Sequence, residues 1–340
     1  MQIHPFLPII LVGTLRQDYI LTPGGKAINN TPGGHLFHTA MGLIHSERQF
    51  GLVSRTGLDF PENWLEDFSV LGMDIRGIKQ TGISIDQRFF IRHDDSGKKS
   101  TLNPLAQYAE EGLPFPKSLL GYQIPVRNPD SFTERNSETI IARDIPHDYL
   151  ESPTIHFCPM DFLTHNLITQ KFMQVDGKKI SIRSGKGYMS PRFLPLMGSM
   201  LQGLNVFFTS KAQLKNLFSE QNVGNLSDMV WKVADMGVEL IVIQEDDFSN
   251  LLYIAAGKEI YKLEPYPVSL KNRTGIKDAF CGGFIGNLAK TYQPLKALVA
   301  GTTAASFTME ANQPYYASDT IAGLFSARES YIADRIVRLN

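Results

Sequence analysis

Short apolar runs recur along the chain and alternate with stretches whose apolar positions are spaced like one face of a helix. Pro8–Val12, Gln49–Val53, Thr154–Phe157, Lys179–Ile182, Val206–Phe208 and Leu240–Ile243 are the strand-like runs. Helical spacing covers Leu36–Ser46 and Asn63–Leu71, and each later run is followed by a segment compatible with a helix. Ala279–Ala289 and Leu295–Met309 are rich in small and apolar residues and read as two buried helices. This alternation predicts a three-layer α/β/α domain with a mostly parallel central sheet covered on both faces.

Two segments depart from the pattern. Tyr19–Asn30 has Pro23-Gly24-Gly25 at its centre and reads as a hairpin. Asp86–Leu102 reads as a second, with Gln87–Arg92 and Lys99–Leu102 flanking the turn Asp94-Asp95-Ser96-Gly97. Leu105–Glu138 is polar, contains proline and is longer than ordinary connections. A lid extension, an oligomer contact and a mobile loop all remain open for it.

The chemistry concentrates in Asn272–Phe284, which opens one of the apolar helices. Thr274, Gly275 and Asp278 stand where free backbone N–H groups and the positive end of the helix dipole suit a phosphate. An acidic side chain beside such a site can take a proton from an attacking hydroxyl. The same residues also suit a simple helix cap, and Gly282-Gly283 suits close helix packing.

The segment resembles the C-terminal signature of the ribokinase-like (PfkB) carbohydrate kinases, D-T-T-G-A-G-D-A-F followed by G-G-F. Thr274, Gly275, Asp278, Ala279, Phe280, Gly282, Gly283 and Phe284 match, whereas Asn272, Arg273, Ile276 and Lys277 differ. Further resemblances follow in the family's order. They are the first strand Ile9–Gly13 with Asp18, the turn Pro32-Gly33-Gly34 with Thr39-Ala40, Leu52–Pro61, and Leu71-Gly72-Met73-Asp74. The resemblance covers nearly the whole chain and implies one ribokinase-like domain over residues 1–340. Lid insertions are expected at about 15–34 and 84–104, forming a small β-sheet over the acceptor site.

What the resemblance implies for the site is specific. Asp278 is the expected catalytic base, and the N–H groups of Gly275, Ile276 and Lys277 form the anion hole with it. Asp18, Gly33, Gly34 and His38 are the expected acceptor-binding residues, with His38 standing where the family usually has Asn. Thr274, Ser210 and Gln213 fall on the nucleotide side, and ATP and Mg2+ are the implied donor and metal. A homodimer joined through the lid is also implied.

Three departures touch the donor side. Lys277 replaces a glycine, and its ammonium either reaches a phosphate or points to solvent. Ser210-Lys211-Ala212-Gln213 replaces the family's N-x-x-E, removing a carboxylate that a hard cation favours. Gln244–Asn250 brings Glu245, Asp246 and Asp247 to a turn that usually carries glycine. No metal ligand is assigned, although Asp246 and Asp247 could replace the lost contact. Arg92 and His93 on the second hairpin are further candidates for acceptor contact. The alternative to a kinase is a catalytically silent relative that binds a small polyol or nucleotide.

Composition narrows these readings. With 340 residues and 43% apolar content, the chain can bury a large single core. A formal charge of −1 gives no general attraction to nucleic acid or anionic membrane. Cys158 and Cys281 are its two cysteines and lack metal-ligand spacing, as expected in a reducing cytoplasm. Pro8–Gly13 reads as a strand and not as a signal peptide, and no apolar run reaches the ~18 residues of a membrane span. The absence of G-x-G-x-x-G after the first strand argues against a dehydrogenase.

Overall fold

A computed structural model describes residues 5–124, 130–321 and 323–339. The chain begins with strands β1 (Ile9–Val12), β2 (Arg16–Thr22) and β3 (Lys26–Gly33), then helix α1 (Gly34–Leu43) and strand β4 (Phe50–Thr56). It continues through α2 (Glu62–Val70), β5 (Met73–Gln80), β6 (Arg88–His93), β7 (Lys99–Ser100) and α3 (Pro104–Glu110). Next come β8 (Thr154–Phe157), α4 (Phe162–Met173), β9 (Lys179–Arg183), α5 (Leu194–Leu201), β10 (Val206–Thr209) and α6 (Lys211–Leu217). After α7 (Leu226–Ala234) lie β11 (Leu240–Gln244), β12 (Asn250–Ile254) and β13 (Glu259–Leu263). The last elements are α8 (Ile276–Thr291), α9 (Pro294–Glu310), α10 (Leu324–Ala333) and β14 (Val337–Leu339).

The large sheet has the order β14-β13-β12-β11-β10-β9-β8-β1-β4-β5, parallel from β5 to β11 and antiparallel beyond. Period-two alternation divides its side chains between two helical layers. Ile10, Val12, Ile155, Phe157, Ile180, Ile182, Phe207 and Ile241 face the layer containing α4, α5 and α7. Ile9, Leu11, Val206, Phe208, Leu240 and Val242 face the layer containing α1, α8 and α9. On β8 and β9 this second face instead carries His156, Ser181 and Arg183, so polar groups run beneath α8.

Close backbone contact between α1 and α8 fixes the site. A Cβ at Gly42 would lie 2.0 Å from the Ala279 carbonyl oxygen, and one at Gly282 would lie 2.0 Å from the Thr39 oxygen. Gly283 meets α9 in the same way, 2.8 Å from the Ala300 oxygen. The glycine pair in α8 therefore serves helix packing, and it brings the starts of α1 and α8 together.

Strands β3-β2-β6-β7 form the small sheet expected from the two hairpins, with β2 and β6 parallel. Asp18 and Ile20 on its inner face look into a cleft. Tyr19, Leu21 and Phe90 on its outer face are buried by Tyr108, Leu113, Phe115 and Leu119. Part of 105–138 is thus an outer layer of the lid; residues 125–129 lie outside the described residues. Among the described residues, no helix is long and apolar enough to cross a membrane.

Candidate active site

Asp278 occupies the third position of α8, after Gly275, Ile276 and Lys277. Gly275 has φ +80°, a conformation that suits glycine, and a Cβ there would lie 2.3 Å from the His38 ring. Lys277 lies within the helix, so replacing the family's glycine requires no left-handed backbone. The first N–H groups of α8 have no partner within the helix and remain suited to an anion.

The Asp278 side chain does not cap its helix. Both carboxylate oxygens lie 3.1 Å from His35 Nδ1. An ionised carboxylate only accepts, so that nitrogen donates. Arg183, at the end of β9, donates to Asp278 Oδ1 and forms an ion pair with it. Burial alone would push the Asp278 carboxyl upward, but the Arg183 charge and His35 hold it well below the usual carboxylate range. Neither Arg183 nor His35 was among the residues expected from the sequence.

Asp18 is buried on β2, with its Oδ2 3.3 Å from His38 Nε2. Asp18 Oδ1 and His38 Nδ1 are buried without a hydrogen-bond partner among the described residues. Both residues line a small cleft, together with Pro32, Asn272, Thr308 and Tyr316. Unsatisfied buried polar atoms carry an energetic cost, so their presence here suits a hydroxyl-bearing ligand. Gly33 makes room for the carboxylate, since a Cβ there would lie 2.0 Å from Asp18 Cγ. Gly34 turns the chain into α1 at φ +84°, beside the Thr14 carbonyl.

His38 joins the two acidic groups. It lies against Gly275 and pairs with Asp18, while its electrostatic influence reaches Asp278. His38 therefore stands between the Asp18 cleft and the start of α8. The Thr274 hydroxyl meets His93 Nε2 on the lid at 3.2 Å, and the Arg273 guanidinium packs against lid residue Gly97. Arg92 does not approach the cleft; it turns to the outer layer, pairing with Glu110 at 2.6 Å and also with Glu111. Alternation along β6 places these two neighbours on opposite faces.

The residues expected on the donor side are engaged in bonds with one another and with nearby backbone. Lys277 Nζ donates to the Gln244 carbonyl at 3.2 Å and pairs with the exposed Asp246 at 3.0 Å. Gln244 Nε2 returns a bond to the Lys277 carbonyl at 2.8 Å. Ser210 caps α6 by accepting from Gln213 N, and Gln213 Nε2 donates to the Ser184 carbonyl at 3.2 Å. Asp247 is committed to Ser249. Among the described residues, no group of three or more His, Cys, Asp or Glu is placed to hold a metal ion.

Comparison with solved structures identifies the architecture. A candidate ribokinase II from E. coli, in complex with ATP and Mg2+, superposes with a TM-score of 0.69 at 14% identity, covering 96% of this chain and 99% of that one. The chain has the ribokinase-like fold. Aminoimidazole riboside kinase from Salmonella enterica, complexed with aminoimidazole riboside and an ATP analog, superposes with a TM-score of 0.64 at 13% identity over 94% of this chain and 99% of that one. In sequence, the chain is 22% identical to cytidine kinase from Thermococcus kodakarensis over 296 residues, 86% of this chain and 92% of the relative. No protein-family model matches. In the ribokinase-like fold found here, Asp278 and the Asp18 cleft lie at the C-terminal side of the parallel strands, where open α/β sheets bind ligands.

Proposed function

We propose that this chain is a phosphotransferase that moves the terminal phosphoryl group of ATP to a hydroxyl of a sugar or nucleoside. The observation that carries this reading is the junction between Asp278 at the start of α8 and the cleft containing Asp18 and His38. Asp18 and His38 bind acceptor hydroxyls through their unpartnered atoms. Asp278 takes the proton as the hydroxyl oxygen attacks phosphorus, and the N–H groups of Gly275, Ile276 and Lys277 receive negative charge from the phosphoryl group. A strongly basic carboxylate is unnecessary, because transfer through a loose transition state leaves the hydroxyl proton in place until late. Similarity to a cytidine kinase supports a nucleoside-type acceptor.

Magnesium fits this site as an ion held chiefly by donor phosphates and water, which suits its reluctance to dehydrate. Asp246 is the carboxylate beside the start of α8 that would meet its hydration shell. When bound, the ion neutralises phosphate charge. Thr274, Ser210 and Gln213 act on the nucleotide side through the local bonds they maintain, and any lid-joined dimer would use the edge strands β3 or β7.

A second reading is favoured by the Arg183–Asp278 ion pair, which neutralises the proposed base. In that case the chain binds a polyol or nucleotide without turnover. Release of ADP from MgATP, assayed across sugars and nucleosides, separates the two. The kinase reading expects acceptor-dependent release that falls about 10²- to 10⁴-fold in Asp278→Asn. Saturable acceptor binding without release on the entire panel supports the silent reading.

A further inference from the structure

Arg183 is a half-buried cation whose ion pair is made with the carboxylate proposed to act as base. Its place follows from the strand. Ile180 and Ile182 face one helical layer, so Arg183 emerges on the other, beneath the start of α8. Taking a guanidinium out of water is costly, and one carboxylate contact is a weak return for a group with five donors. The side chain keeps 16% of its surface accessible, so the fork is not sealed within the protein.

The charges around it leave a specific role open. Lys277, in the first turn of α8, directs its ammonium away from Asp278, to the Gln244 carbonyl and the exposed Asp246. The formal positive charge beside Asp278 is therefore that of Arg183. A planar guanidinium also matches phosphate oxygens in a way an ammonium does not.

We infer that Arg183 binds the transferring phosphoryl group, exchanging part of its bond to Asp278 for bonds to phosphate oxygens. This deepens the kinase reading and rests on it. The acceptor oxygen forms its bond to the terminal phosphorus as the bond to the bridging oxygen breaks, leaving that electron pair on the diphosphate. The hydroxyl proton passes to Asp278. Arg183 remains protonated throughout, and as its charge turns toward phosphate the carboxylate regains affinity for a proton. Arrival of the phosphoryl group thereby readies the base.

The test compares the parent protein with Arg183→Gln and Arg183→Lys, after thermal melting confirms folding. Calorimetry with magnesium measures binding of ADP and of β,γ-imido-ATP, and steady-state assays measure turnover on an acceptor the parent accepts. In Arg183→Gln, affinity for the triphosphate analogue should fall about tenfold with little change for ADP, and kcat should fall about 10²-fold. Arg183→Lys should lie between. Unchanged triphosphate preference, or equal or faster turnover, overturns the proposal. If the parent phosphorylates no acceptor, the kinase reading fails, while selective loss of triphosphate affinity still upholds Arg183 as a phosphate ligand. Should Arg183→Gln not fold, the same two measurements on Arg183→Lys decide.

Discussion

His93 on the small sheet lies 3.2 Å from the Thr274 hydroxyl at the approach to α8, linking the sheet over the Asp18 cleft to the proposed anion site. The contact joins residues 181 positions apart. It gives the lid a way to report acceptor binding to the segment carrying Asp278. In His93→Ala, we expect the acceptor KM to rise about three- to tenfold, as for loss of one net hydrogen bond, with a smaller change in the ATP KM. Hydrogen exchange should increase in β6 and β7. Equal rises in both KM values would show that the contact does not couple the acceptor side selectively.

Gly33→Ala offers a clean test of the acceptor site. Gly33 has φ −159°, extended backbone open to any residue, so space and not torsion demands glycine. The new methyl would meet the Asp18 carboxyl group at 2.0 Å and force it out of the cleft. Acceptor affinity should fall by at least about tenfold, consistent with overpacking that costs about 1–3 kcal/mol. Binding of ADP should stay close to the parent value by calorimetry. Retained acceptor affinity would remove Asp18 from the acceptor site.

The elements legible in the sequence are those buried on both faces. The central parallel strands read as apolar runs, and the two hairpins announced themselves through turn residues. Strands β13 and β14 were not legible because they are short and antiparallel, β13 half-buried and β14 exposed throughout, with too little apolar pattern to separate them from loop. The resemblance pointed to Asp278, Asp18 and His38 but not to the partners of Asp278. Arg183 lies 95 residues from Asp278, and His35 lies 243 residues away. A signal existed on β9: Ser181 and Arg183 alternate with Ile180 and Ile182 in a central strand, where polar side chains need a reason. Their target could be read only after α8 had been placed against that face.

Buried histidines make acid stability measurable. Burial pushes His45, His93 and His165 down to about 4, and His156 down to about 3. His165 is neutral and fully engaged, lying 2.8 Å from the Cys158 carbonyl through Nε2 and 2.7 Å from the Tyr188 hydroxyl through Nδ1. These folded-state values lie below the ordinary histidine value of about 6.5, so between about pH 6.5 and 4 the unfolded chain binds more protons. Stability should therefore fall as pH drops through that window, by on the order of 2 kcal/mol per buried histidine at pH 5. Urea unfolding at pH 7.5 and 5.0 checks the sign. His165→Gln should reduce the difference between the two pH values even if it lowers stability at both.

The outer layer of the lid gives the last prediction. Tyr108 and Leu119 are buried against Tyr19, Leu21 and Phe90, while Arg92 pairs with Glu110 and Glu111 over the same face. This chain therefore covers with its own segment an apolar lid face that would otherwise be exposed. Leu119→Ala should cost about 2–5 kcal/mol locally, the range for removing a buried leucine side chain. Because one sheet carries this cluster outside and Asp18 inside, its loosening should also weaken acceptor binding. Hydrogen exchange should rise in β2 and β6 while the central strands β8 and β10 stay protected. Light scattering should show a greater tendency to associate, reversible in dilute urea, as expected for a newly exposed apolar patch. If exchange rises equally in the central strands, the lid and its cover are not a separable unit. If neither exchange nor acceptor affinity changes, the segment does not support the lid sheet.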